Sequence, residues 1–183
     1  MERAASERLK AGDDPAVQKL VELFRAHPVW CEAARLVSDD STSRVFFRHR
    51  PGEPWRLVRR GGHSVLEPGD AEDPDLAFCF PAAAIAELET TRGGVGDFAL
   101  ALFRLVLDDD PARHVGFRVV APFTRLARRG YVDLLVRGGP RLLWFGARHG
   151  VRSLTALKRL VDDARRARPE PWEGVTETAP PRE

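Results

Sequence analysis

Trp55-Arg56-Leu57-Val58-Arg59-Arg60-Gly61-Gly62-His63-Ser64-Val65-Leu66, residues 55–66, is the stretch that decides the fold. Trp55 and Leu57 fall on one side of an extended chain, Arg56 and Val58 on the other. Gly61-Gly62 is a hairpin turn signal, and His63–Leu66 returns. Two more strand-like runs flank this hairpin. Arg44-Val45-Phe46-Phe47-Arg48 precedes it across Pro51-Gly52-Glu53-Pro54, which reads as a turn. Asp75-Leu76-Ala77-Phe78-Cys79-Phe80 follows the acidic loop 68–74. In that last run Leu76, Phe78 and Phe80 share a face, while Ala77 and Cys79 make the other face small and apolar. Such a strand is covered on both sides. The short loops predict an antiparallel meander.

Helices surround the strands. Asp14-Pro15 is an N-cap followed by Pro at the first helical position. Val17, Leu20, Val21 and Phe24 then form one apolar face that ends before Pro28. A second short helix is predicted over 29–37, and Ser38-Asp39-Asp40-Ser41 breaks it. Beyond the strands, Pro81 opens a helix over 82–89, and Asp97 caps another over 98–107. That helix is apolar nearly all round, so it is deeply buried or lies over a cavity. Residues 115–120 read as a fifth strand. Residues 123–149 admit a hairpin around Gly138-Gly139 or two helices; Thr124 as a cap and Pro140 at a first position favour helices. Ser153 caps a final helix with Leu154, Leu157, Leu160, Val161 and Ala164 inward. The expected organisation is a flexible segment 1–12, one α+β domain over 13–168, and a disordered Pro- and Glu-rich tail over 169–183.

Composition narrows the class. The chain has 183 residues, enough for one sizeable core. No apolar run is long enough to span a bilayer, and the charged N-terminus lacks the apolar stretch of a secretory signal. The two cysteines, Cys31 and Cys79, sit among apolar neighbours and read as small buried residues of a cytoplasmic chain. Charge is uneven: residues 1–110 carry a net −6 and residues 111–183 a net +8. The basic half, with Arg125, Arg128 and Arg129 as its densest surface, could face a protein partner or an anionic surface. The aromatics look like core rather than a stacking platform, which argues against nucleic acid.

Motifs for chemistry are mostly missing. Arg92-Gly93-Gly94-Val95-Gly96 and Gly138-Gly139-Pro140 have neither a Walker lysine nor the dinucleotide-binding order. The five histidines show no zinc-ligand spacing, and Asp108-Asp109-Asp110 reads as a solvated helix end. No cofactor or metal is expected. An enzyme acting on an apolar substrate would have to use Asp97, His114 or Tyr131 as acid or base, and no spacing forces two of them together.

Four motifs carry a family resemblance over residues 16–136. Trp55-Arg56-Leu57-Val58 resembles the second strand of the sterol carrier protein 2-like family. Pro74-Asp75-Leu76-Ala77-Phe78 resembles the strand that leads into that family's first cavity helix. The stretch 98–107 stands where the second cavity helix lies, and Gly116-Phe117-Arg118-Val119-Val120 resembles the later strand. The sequence departs from the pattern at Ala121-Pro122-Phe123, where the family has a Gly-Asp-like turn, and in a longer segment 123–152. The resemblance implies a five-stranded antiparallel sheet with helices on one face. It also implies an apolar tunnel for a sterol, fatty acid or acyl-CoA, with no catalytic residue. The expected lining is Phe78, Phe80, Phe98, Leu102, Phe103, Val106, Phe117 and Val119. The alternative is an accessory, protein-binding module of the same fold without a ligand.

Overall fold

The computed structural model describes residues 14–166 and Trp172. The expectations for segment 1–12 and for most of the tail fall outside them. Helix α1 (Pro15–Ala26) starts as predicted: the Asp14 carboxylate accepts the Ala16 N–H at 2.9 Å, and Pro15 needs no partner for a missing N–H. Helix α2 (Pro28–Ala34) follows after one residue. Strands β1 (Thr42–Phe47), β2 (Arg50–Arg60), β3 (His63–Pro68), β4 (Leu76–Phe80) and β5 (Gly116–Val119) form a five-stranded open sheet. Helices α3 (Ala82–Thr90) and α4 (Val95–Val106) lie between β4 and β5 in the chain. Beyond β5 come α5 (Phe123–Arg128), α6 (Tyr131–Arg137), α7 (Gly139–Arg148) and α8 (Leu154–Arg166). The α+β class with a five-stranded sheet is as expected.

The topology corrects the simple meander. The strand order is β3-β2-β1-β4-β5, with β1 and β4 parallel and the other three pairs antiparallel. After edge strand β3 the chain crosses to the far side of β1. The two apolar faces of β4 explain the choice, because such a strand loses most at an exposed edge. Side chains of β1 fasten the crossover. Arg44 donates to Asp70 at 2.5 Å and to the Ala71 carbonyl at 3.1 Å, and Thr42 donates to the Asp73 carbonyl at 3.2 Å.

The predicted turn at Pro51–Pro54 is also different. The chain reverses at Arg48-His49, and residues 51–54 bulge out of β2 between the pairs Phe47↔Arg50 and Val45↔Trp55. Two prolines without N–H groups, and Gly52 at φ +80°, suit a bulge and not a ladder.

One sheet face carries Val45, Phe47, Trp55, Leu57, Leu66, Phe78 and Phe80. These pack against Val17, Leu20 and Phe24 of α1, Ile85 and Leu88 of α3, and Phe98 and Leu105 of α4. Each such side chain contributes about 1.5–3 kcal/mol through its burial. On the opposite face Phe46, Ala77 and Cys79 are also buried, and the Trp172 ring lies 5.5 Å from the Phe46 ring. Segment 123–149 forms three helices joined by short turns, one more than the two expected, so the hairpin alternative is not adopted. Its first helix has Pro122 at the N-cap, two residues before the expected Thr124.

Candidate functional site

The predicted lining divides into two groups. Phe78, Phe80, Phe98 and Val119 are buried. Phe78 stacks on Phe80 with centroids 5.6 Å apart and touches the Phe117 ring at 5.3 Å. Leu102, Phe103, Val106 and Phe117 are only half-buried. Leu102, Val106 and Phe117 lean on the main core. Phe103 reaches Phe145 of α7, with centroids 6.3 Å apart. Helical periodicity explains the split on α4: Phe98 and Leu105, two turns apart, point into the main core, Leu102 and Val106 lie toward the edge of that face, and Phe103 turns away from it toward α7.

Those later helices cover this group only partly. The contact of α8 with the rest of the fold runs through Val161 and Ala164, which pack on Val119, Ala121 and Leu126. No residue of α8 is fully buried, although its apolar stripe was expected to face inward. Leu154 and Leu160 remain more than half exposed. The stripe is longer than the strip of protein beneath it. Phe145 was not among the predicted site residues. Its only signal was the run Leu142-Leu143-Trp144-Phe145 inside a segment of ambiguous structure.

The basic stretch is not a free surface. Asp75, immediately before β4, has no solvent exposure. Arg125 Nε stands 3.0 Å and Arg129 Nη1 2.7 Å from its Oδ1, and the Tyr131 hydroxyl donates to Oδ2 at 3.4 Å. Arg125 also pairs with Asp73 and donates to the Pro74 carbonyl, and Arg129 reaches Asp40 at 3.3 Å. The surface role expected for Arg125 and Arg129 is therefore corrected: both guanidiniums are used to neutralise a buried carboxylate. Arg128 alone of the three is exposed. Burial alone would lower the Arg129 guanidinium, but Asp75 and Asp40 hold it above its ordinary value. Burial first, and the Asp75 charge second, push the Tyr131 phenol upward. Tyr131 is thus a neutral hydrogen-bond donor at physiological pH.

The other acid–base candidates are engaged separately. Asp97 accepts the Gly94 N–H at 3.1 Å and pairs with Arg141 at 3.3 Å. It is the third residue of α4, not its cap. His114 Nδ1 lies 3.1 Å from the Asp108 carbonyl. A cleft of about 650 Å³ opens beside Asp97, lined also by Glu32, Leu36, Val95, Arg137 and Arg141. A second, of about 580 Å³, lies at the start of α1 by Asp14, Lys19, His49 and Arg50. Among the described residues no group of His, Cys, Asp or Glu is placed to hold a metal ion, and no helix is long and apolar enough to cross a membrane.

No protein-family model and no curated protein matches the chain. Among solved structures it is similar to one described as "UbiJ-SCP2 Ubiquinone synthesis protein", with 13% identity and a TM-score of 0.40. That alignment covers 64% of this chain and 84% of the other.

Proposed function

We propose that this chain is a non-catalytic carrier of an apolar ligand of the sterol, fatty-acid or acyl-CoA kind. The ligand would lie over Leu102, Phe103, Val106 and Phe117, with Phe78, Phe80, Phe98 and Val119 as the floor beneath. One observation carries the reading: four large apolar side chains on α4 and β5 stay half-open, with Phe103 against α7 and Phe117 near α8, a helix that buries none of its own residues. A ligand between them would complete the burial that the protein leaves unfinished. Each methylene taken from water contributes about 0.8 kcal/mol. A long acyl chain would therefore offset an association cost of about 4–15 kcal/mol and leave a usable affinity.

The test joins extraction with substitution. Lipids are extracted from the natively purified protein and identified by mass spectrometry, and a fluorescent fatty acid is titrated into delipidated protein. Phe103→Ser and Val106→Gln should weaken the probe's binding while melting close to the wild type, since both sites are half-open. Phe78→Ala should instead lose about 3–5 kcal/mol of stability as a core truncation. Recovery of no lipid, together with no thermal shift on adding fatty acids or sterols, would overturn the proposal.

A further inference from the structure

The exposed apolar residues are concentrated in one part of the chain. Leu107, Val136, Leu143, Trp144, Leu154 and Leu160 are the large hydrophobic side chains more than half exposed among the described residues, and five of these six belong to segment 136–160. Helix α7 shows why. Its one buried residue is Leu142. At 100° per residue, Trp144 stands on the far side of the helix from Leu142, and Leu143 on its flank. Trp144 is accordingly 64% exposed and Leu143 52%. An indole turned outward at the crest of a helix is costly unless something covers it.

The charge around this crest has one sign. Segment 131–166 holds eight Lys or Arg and three Asp. Two of those aspartates, Asp162 and Asp163, are already paired with Lys158 and Arg166. Arg148, one turn beyond Trp144, lays its guanidinium 5.5 Å from the indole centroid. Arg148, Arg152 and Arg159 have no carboxylate within ion-pair distance among the described residues. Trp and Leu at the crest with arginines beside them is the composition of a helix that lies in a membrane interface. The ring and aliphatic chains enter the headgroup boundary, and the guanidiniums reach lipid phosphates.

We propose that the outer face of α7, centred on Leu143, Trp144 and Arg148 and continued by Arg152 and the exposed start of α8, docks on an anionic lipid surface. The complementarity is electrostatic as well as apolar, because each cation near such a surface is attracted by the anionic headgroups. A second copy of the chain would bring the same unpaired arginines against one another. This inference does not rest on the carrier reading. The docking face is the outside of α7, whereas the proposed ligand lies under its inner side, by Phe145.

The full chain is tested by co-sedimentation with vesicles of phosphatidylcholine alone and vesicles with phosphatidylserine added. Binding should require phosphatidylserine, weaken as salt is raised, and shift the tryptophan emission to the blue. Trp144→Ser should abolish that shift. Arg148→Glu with Arg152→Glu should weaken binding at least about tenfold. These residues are exposed, so circular dichroism and the melting temperature should stay at wild-type values. Equal binding to both vesicle types, or none to either, would overturn the proposal. So would a concentration-dependent dimer that Trp144→Ser dissolves, which would make this face a self-interface. Binding to an acidic polypeptide without binding to the charged vesicles would overturn it in favour of a protein partner.

Discussion

Arg129 Nη1 stands 2.7 Å from Oδ1 of Asp75, a carboxylate with no solvent exposure. The pair joins parts of the chain that are more than fifty residues apart. The Asp75 backbone extends the join. Its N–H donates to the Thr42 carbonyl at 2.8 Å, and its carbonyl accepts the N–H groups of Val120 and Ala121 at 3.0 Å each. One residue therefore fastens β1, β4, the exit of β5 and the α5–α6 corner. Asp75→Ala strands two guanidiniums beside an emptied site and should cost about 3–5 kcal/mol in urea unfolding. Arg129→Ala should cost less than Asp75→Ala, because Arg125 still faces the carboxylate. The double variant should lose less than the sum of the two. Simple additivity would show that the pair is not coupled.

The two halves of this pair show what the sequence could and could not reveal. Local features were legible where the cause is local: the Asp14-Pro15 cap, the Val17–Phe24 face, the Gly61-Gly62 turn and the two apolar faces of β4. Arg125 and Arg129 read as surface cations because a basic run looks the same whether its partner is water or a distant aspartate. The parallel place of β4 beside β1 was equally hidden, since alternation specifies faces and not neighbours. For the candidate site, alternation placed Phe78, Phe117 and the α4 residues between sheet and helices. It could not tell Phe78, which is sealed, from Phe117, which is half-open. That difference depends on how far α8 reaches over β5, and amphipathic periodicity does not encode it.

Cys79 offers a probe of the opposite sheet face. Its side chain is buried, and burial pushes the thiol up to about 11 against the opposing pull of the Arg48 charge. The thiolate is the reactive form, so Cys79 should label slowly with alkylating reagents at neutral pH. Gly116, paired with Cys79 across β4 and β5, leaves room for Trp172: a Cβ there would stand 2.6 Å from the indole Nε1. Trp172→Ala should uncover this face and speed labelling of Cys79, read by peptide mass mapping with Cys31 as the internal reference. An unchanged Cys79 rate would mean that Trp172 does not shield it.

Asp14 should make part of the stability acid-sensitive. Burial raises its carboxyl, but the hydrogen bond with His49 and those from the Ala16 and Val17 N–H groups outweigh burial and hold it below the ordinary aspartate value. The His49 Nε2 contact is 2.6 Å. A carboxyl that is more acidic folded than unfolded stabilises the fold above the unfolded pKa of about 3.9. That contribution is lost as pH falls through the lower, folded value. Asp14→Ala should therefore cost about 1 kcal/mol at neutral pH through loss of the cap. The gap between variant and wild type should narrow as the pH drops from 5 toward about 3, because the wild type then loses its carboxylate too. Asp14→Asn keeps an acceptor for the N–H groups without a titrating charge, so its stability should follow the same acid trend as Asp14→Ala from a higher starting point. Urea unfolding across this pH range gives the comparison. A gap that stays constant from neutral pH to the acid limit would show that the cap is not linked to the proton on Asp14.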